Sequence, residues 1–109
     1  MAEPKPERRS QNRITVRLPV TVRPVEPGAE QHAFTRDLSR NGVFFYADSQ
    51  IGEGSRLEMV LMLPSEITSG ERQWICCQAS VVRVEKGTGK NFGVAAVIHR
   101  FDILPEIPE

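Results

Sequence analysis

One hundred and nine residues suffice for one domain with its own core, without metal or disulfide staples. Fourteen basic side chains balance fourteen acidic ones, and aromatic residues are only 6% of the chain. That balance excludes a global field drawing it to a nucleic-acid polymer or an anionic membrane, so any anion site must be local.

The leader Met1-Ala2-Glu3-Pro4-Lys5-Pro6-Glu7 has no apolar core and is not a secretory signal. With two prolines and alternating charge, residues 1–8 read as a flexible N-terminal arm. From Ile14 the pattern changes: Ile14, Val16, Leu18, Val20 and Val22 alternate with Thr15, Arg17, Pro19, Thr21 and Arg23. A period of two over ten residues predicts a strand with one face in a core. Pro19 cannot donate to a ladder, which predicts an edge, a bulge or a gap in pairing there. Pro24 to Gly28 make a turn or loop, and Gln31 to Asp37 is a modest strand candidate.

Asn41-Gly42, a common hairpin signal, launches the strand Val43 to Ala47. Leu57, Met59, Leu61 and Leu63 alternate with Glu58, Val60 and Met62; this longest aliphatic run, 59–63, is too short to span a bilayer. Gln73 to Glu85 contains no glycine or proline, and Asn91 to Arg100 follows a Gly87-Thr88-Gly89 turn. No segment carries a helical stripe, although Ile103 to Ile107 has room for one short turn. Six strands at this spacing predict an all-β fold, a six-stranded antiparallel barrel occupying residues 9–103, with a short tail over 104–109. A soluble cytoplasmic protein follows. Beginning at Met1 and stopping soon after the last strand is compatible with a complete single-domain adaptor.

Two short pieces carry chemistry. Arg9-Ser10-Gln11-Asn12-Arg13 offers two guanidinium forks four residues apart, each able to grip phosphate or a purine edge through paired donors. Asp37-Leu38-Ser39-Arg40-Asn41-Gly42 packs a carboxylate, a hydroxyl and a glycine into six residues. If strand 14–23 folds back on 31–38 about residue 27, Arg17 faces Asp37 and Arg13 lies near Asn41, so both pieces reach one end of the barrel.

R-x-x-x-R followed by D-x-S-x-x-G, ahead of a run of strands, resembles the PilZ domain over roughly Arg8 to Phe101. Members of that bacterial family bind the second messenger cyclic di-GMP. The resemblance implies a six-stranded barrel, often with a C-terminal helix for which this chain is too short. It also implies a non-catalytic receptor with no cofactor, acting on a protein partner. The ligand residues it implies are Arg8, Arg9, Arg13, Asp37, Ser39 and Gly42. Arginine can bridge guanine O6 and N7, fork onto a phosphate or stack on a base. Asp37 can accept from guanine N1–H and its amino group, Ser39 can bind phosphate or secure the turn, and Gly42 offers close approach and freedom at positive φ. Arg8, at a position that in the family bears on ligand number, leans towards a stacked dimer of cyclic di-GMP. Arg36 and Arg40 add local positive potential or face water.

Each piece alone has a plainer explanation, a β-turn for the second and a solvated basic arm for the first. Adjacent Cys76 and Cys77 point to opposite strand faces and cannot chelate one metal. His32 and His99 are isolated, and Gly87-Thr88-Gly89 lacks the lysine of a phosphate-binding loop. Phe92 is expected in the core, Trp74 at the rim or in the core, and one of Phe44 and Phe45 outside. An exposed aromatic there suits a partner surface or packing of the chain's own tail. The alternative function is a PilZ-like interaction module that binds no nucleotide. An oligonucleotide-binding barrel is disfavoured, because no basic-aromatic interleaving appears.

Overall fold

The alternation that begins at Ile14 becomes two strands rather than one. The computed structural model describes residues 13–25, 29–87 and 91–105; the expected arm over 1–8, residues 9–12, residues 26–28 of the 24–28 loop, Thr88 to Lys90 and Glu106 to Glu109 lie outside them. β1 spans Ile14–Thr15 and β2 spans Pro19–Pro24, so Pro24, expected in the loop, ends a strand. The gap falls just ahead of Pro19, which has no N–H to offer. Thr15 pairs with Asp37 and Pro19 with Phe34, so residues 16–18 lie opposite only 35 and 36.

The backbone groups in this gap are not abandoned. Val16 N–H donates to the Arg36 carbonyl at 3.1 Å and Thr35 N–H to the Leu18 carbonyl at 2.9 Å. The Thr35 hydroxyl accepts from Leu18 N–H at 2.9 Å and donates to the Val16 carbonyl at 2.5 Å. A buried side chain thus substitutes for the missing rungs of the ladder.

The remaining strands are β3 (Gln31–Leu38), β4 (Gly42–Ala47), β5 (Arg56–Leu63), β6 (Gln73–Lys86) and β7 (Phe92–Ile103), all paired antiparallel. The order β3-β2-β5-β6-β7-β4 closes through a β3–β4 pairing, giving a six-stranded barrel with β1 added beside β3. Closure removes the open edges on which strands aggregate.

Inward positions of every barrel strand build one core. Val20 and Val22, Phe45, Leu57 and Met59, Ile75 and Cys77, and Val94 are at most 2% exposed. The first members of the N-terminal alternation are not among them: Ile14 is 37% exposed, and burial begins only at Leu18. Phe92, expected in the core, is only partly buried at the start of β7, and Trp74 is half-buried.

One helical turn, α1 (Ser65–Thr68), follows Pro64 and ends at Ser69 with φ of 63°. A single turn cannot display a 3.6-residue period, so the sequence carries no stripe for it. Its Ile67 packs on the core. β7 extends to Ile103, which is therefore strand and not the start of a helical turn.

Candidate functional site

The β3–β4 hairpin brings the acidic turn into shape. Ser39 N–H donates to the Gly42 carbonyl at 2.8 Å, leaving Arg40 and Asn41 as the central pair of the turn. Asn41-Gly42 therefore lies one position later than a two-residue loop would place it. The Ser39 hydroxyl accepts from the N–H groups of Asn41 and Gly42 at 3.3 and 3.2 Å, so it secures the turn. Asn41 also anchors the turn to β7, its carbonyl accepting from Ile98 N–H at 2.9 Å.

Gly42 is not in the left-handed region; among the described glycines only Gly54 has positive φ. What Gly42 supplies is closeness. A Cβ there would lie 3.2 Å from the Ala96 carbonyl oxygen of the neighbouring strand, and backbone cannot easily give way.

β1 delivers Arg13 to this turn. Its Nη1 donates to Asp37 Oδ1, an ion pair spanning 24 positions of sequence. The pairing register differs from expectation by two residues: Asp37 faces Thr15, while Arg17 instead lies over the Phe34 ring, 4.3 Å from its centroid. The convergence of Arg13 with the Asp-Ser-Gly turn survives that shift, because Arg13 reaches Asp37 through its long side chain and not by standing opposite it. Arg8 and Arg9 lie outside the described residues.

A second guanidinium holds the other carboxylate oxygen. Arg36 Nε donates to Asp37 Oδ2 at 2.9 Å. Thr35 pairs with Phe45 and Asp37 with Phe44, so Arg36 is the extra residue of a β-bulge, which re-aims its side chain. The hydrogen bond to Asp37 holds the Arg36 pKa above its ordinary value, so the charge is permanent. Asp37 itself is 5% exposed, with a guanidinium on each oxygen. Each oxygen keeps further lone-pair capacity.

These groups edge an open cleft of about 410 Å³ on the outer wall of the barrel. Arg13, Arg36, Ser39 and Asn41–Phe44 form one side; Val82, Arg83 and Ala95–Val97 form the other. Val82 is the extra residue of a second bulge, in β6 opposite β7. Sequence reasoning did not find Arg83 or the bulged Val82, since only the lateral order β6-β7-β4-β3 brings them to the turn. A wider hollow of about 1180 Å³ lies between α1 and the end of β7, but Glu66, Glu71 and Arg72 give it no excess of positive charge. For a doubly charged anion the arginine cleft is the better match.

Phe45 is the core ring and Phe44 lies on the outer wall, yet Phe44 is only 4% exposed because Arg36 covers it. The exposed rings of that wall are Phe34 and Tyr46, at 41% and 38%. His99 is not isolated: its Nε2 is 2.8 Å from Ser80 Oγ, an exposed pair across β6 and β7. Cys76 is partly exposed and Cys77 buried, as their alternation requires. Among the described residues no group of three His, Cys, Asp or Glu is placed to hold a metal, and no helix is long and apolar enough to cross a membrane.

Comparison with known proteins agrees with this architecture. The chain is similar to the solved structure of the Bacillus subtilis inhibitor of motility (MotI/DgrA), with a TM-score of 0.66 and 19% identity. The match covers 85% of this chain and 42% of that one, so this chain spans less than half the length of that protein. No curated protein matches. A family model described as PilZ domain matches residues 7–103, which takes in both motifs and every strand, and the chain belongs to that family.

Proposed function

We propose that this domain is a non-catalytic, cytoplasmic receptor for cyclic di-GMP that passes the signal to a protein partner. PilZ domains are in general non-catalytic receptor modules, and cyclic di-GMP is the family's ligand. The observation that carries the proposal for this chain is the Arg13–Asp37 ion pair, which joins the two motifs at one end of the barrel. Asp37 is too buried to be the first contact of an arriving base. Its role is to hold Arg13, whose side chain remains 53% exposed and lines the cleft. Arg13 and Arg9 grip guanine edges or phosphates, Ser39 and Gly42 shape the wall, and Arg8 stacks a further guanine when two ligands bind as a pair. Closing of the leader over the ligand changes the surface offered to the partner.

A bidentate contact to a guanine edge contributes about 1–3 kcal/mol. Arg13→Ala and Arg9→Ala should therefore each lose most of the binding in a calorimetric titration, with the barrel still folded, its described core being apolar residues. Unchanged affinity in both variants would remove the arginine motif from the mechanism. The same titration reports stoichiometry, where two ligands per chain identify a stacked pair. Ligand at a hundred times its dissociation constant adds ~2.7 kcal/mol of apparent stability, readily seen as a thermal shift. A protein that shows neither shift nor heat is instead an interaction module. Phe34 and Tyr46, exposed beside the stacked Arg17, are the observation that favours that second function.

A further inference from the structure

Arg36 differs from every other arginine of the cleft in what lies beneath it. Arg36, the extra residue of the β3–β4 bulge, holds its guanidinium carbon over the Phe44 ring, 3.9 Å from the centroid. The ring cannot retreat. A Cβ on Gly93 would come within 2.6 Å of Phe44 Cζ, so the ring rests directly on the β7 backbone, and Tyr46 abuts it edge-on with centroids 5.6 Å apart. Nor can the guanidinium turn freely, because its Nε is tied to Asp37 Oδ2 at 2.9 Å. Yet the side chain is still 48% exposed, and it borders the same cleft as Arg13 and Gly42. The ring covers the guanidinium from one side, and the exposed remainder of the side chain borders the cleft.

We propose that Arg36 is a base-stacking residue: a guanine of the ligand lies on its open face, forming a three-layer stack of base, guanidinium and Phe44 ring. This rests on the cyclic di-GMP function argued above and adds a contact outside both sequence motifs. A flexible arginine must be immobilised when it stacks, which weakens binding; here the ion pair and the ring have already immobilised it.

The test is a calorimetric titration of the full chain with cyclic di-GMP, comparing wild type, Arg13→Ala, Arg36→Ala and Arg36→Lys. Lysine keeps the charge and loses the plane. Base stacking predicts that both Arg36 variants lose affinity on the order of 5- to 150-fold. In wild type, the Arg36 Nε–H proton should shift upfield on saturation, under the ring current of the base. Wild-type affinity in Arg36→Lys would show that only charge matters and overturn the stack. Wild-type affinity in Arg36→Ala, with binding lost in Arg13→Ala, would overturn it while leaving the receptor function standing. No binding by wild type would overturn both. Should the variants fail to fold, the Nε–H signal of the wild type decides alone: an upfield shift supports the stack, and an unmoved signal at saturation overturns it.

Discussion

Thr35 is 1% exposed, and its hydroxyl is the only side chain among the described residues that bonds to both ends of the 16–18 gap. Valine would match its shape but leave Leu18 N–H without an acceptor and the Val16 carbonyl without a donor. Stranding a buried polar group costs about 1–3 kcal/mol, more than the net contribution of the hydrogen bond itself. Thr35→Val should therefore lower the urea midpoint with little change in slope, whereas Thr35→Ser should retain most of the stability. Because β1 hangs from β3 across this gap, the valine variant should also loosen Arg13 and weaken ligand binding. An unchanged midpoint would mean that water, not Thr35, serves those groups. None of this was legible beforehand: a threonine in an alternating strand looks like any other, and Pro19 announced only that pairing would fail nearby.

At the scale of elements, the contact between β4 and β7 makes the clearest demand. Tyr46 pairs with Gly93, and the Phe44 ring lies across that glycine. Gly93→Ala would drive a methyl group into Phe44 Cζ, and overpacking of this kind costs about 1–3 kcal/mol. The variant should melt earlier than wild type, and the displaced ring should carry Arg36 with it and reduce affinity for cyclic di-GMP. Normal melting with normal binding would show that the ring has room to slide. Strand existence was readable from the sequence because a period of two is a property of one strand; β2, β5 and the inner face of β6 follow it closely. Register was not, because bulges at Arg36, Val82 and His99 each insert a residue that no local pattern marks. Alternation correctly put Phe44 and Phe45 on opposite walls, but only the pairing of β3 with β4 brings Arg36 over the outer ring. Likewise the His99–Ser80 contact depends on a bulge, since His99 is the extra residue of β7 between Ile98 and Arg100.

Over the whole molecule, closure of the barrel determines what the protein cannot titrate. Cys77 points into the core at 1% exposure, and burial pushes its thiol up to about 12, with smaller contributions from Cys76 and Asp102. In the unfolded chain a thiol ionises near ~8.5. At pH values between these two, the unfolded chain has released a proton that the native protein keeps. The unfolded state therefore binds fewer protons, and stability must fall as pH rises through that window. Below it the effect vanishes, since both states hold the thiol proton. Cys76, half-exposed beside Glu58, is raised by its own desolvation first and adds to the same limb. Urea unfolding from pH 7 to pH 11 should thus show declining stability, and Cys77→Ala should flatten the decline even though its cavity lowers stability at pH 7. In native protein an aromatic disulfide reagent should modify Cys76 slowly and leave Cys77 untouched until the barrel opens. An alkaline slope identical in wild type and Cys77→Ala would mean that the thiol ionises in place, and that the closed core admits water where every inward side chain says it does not.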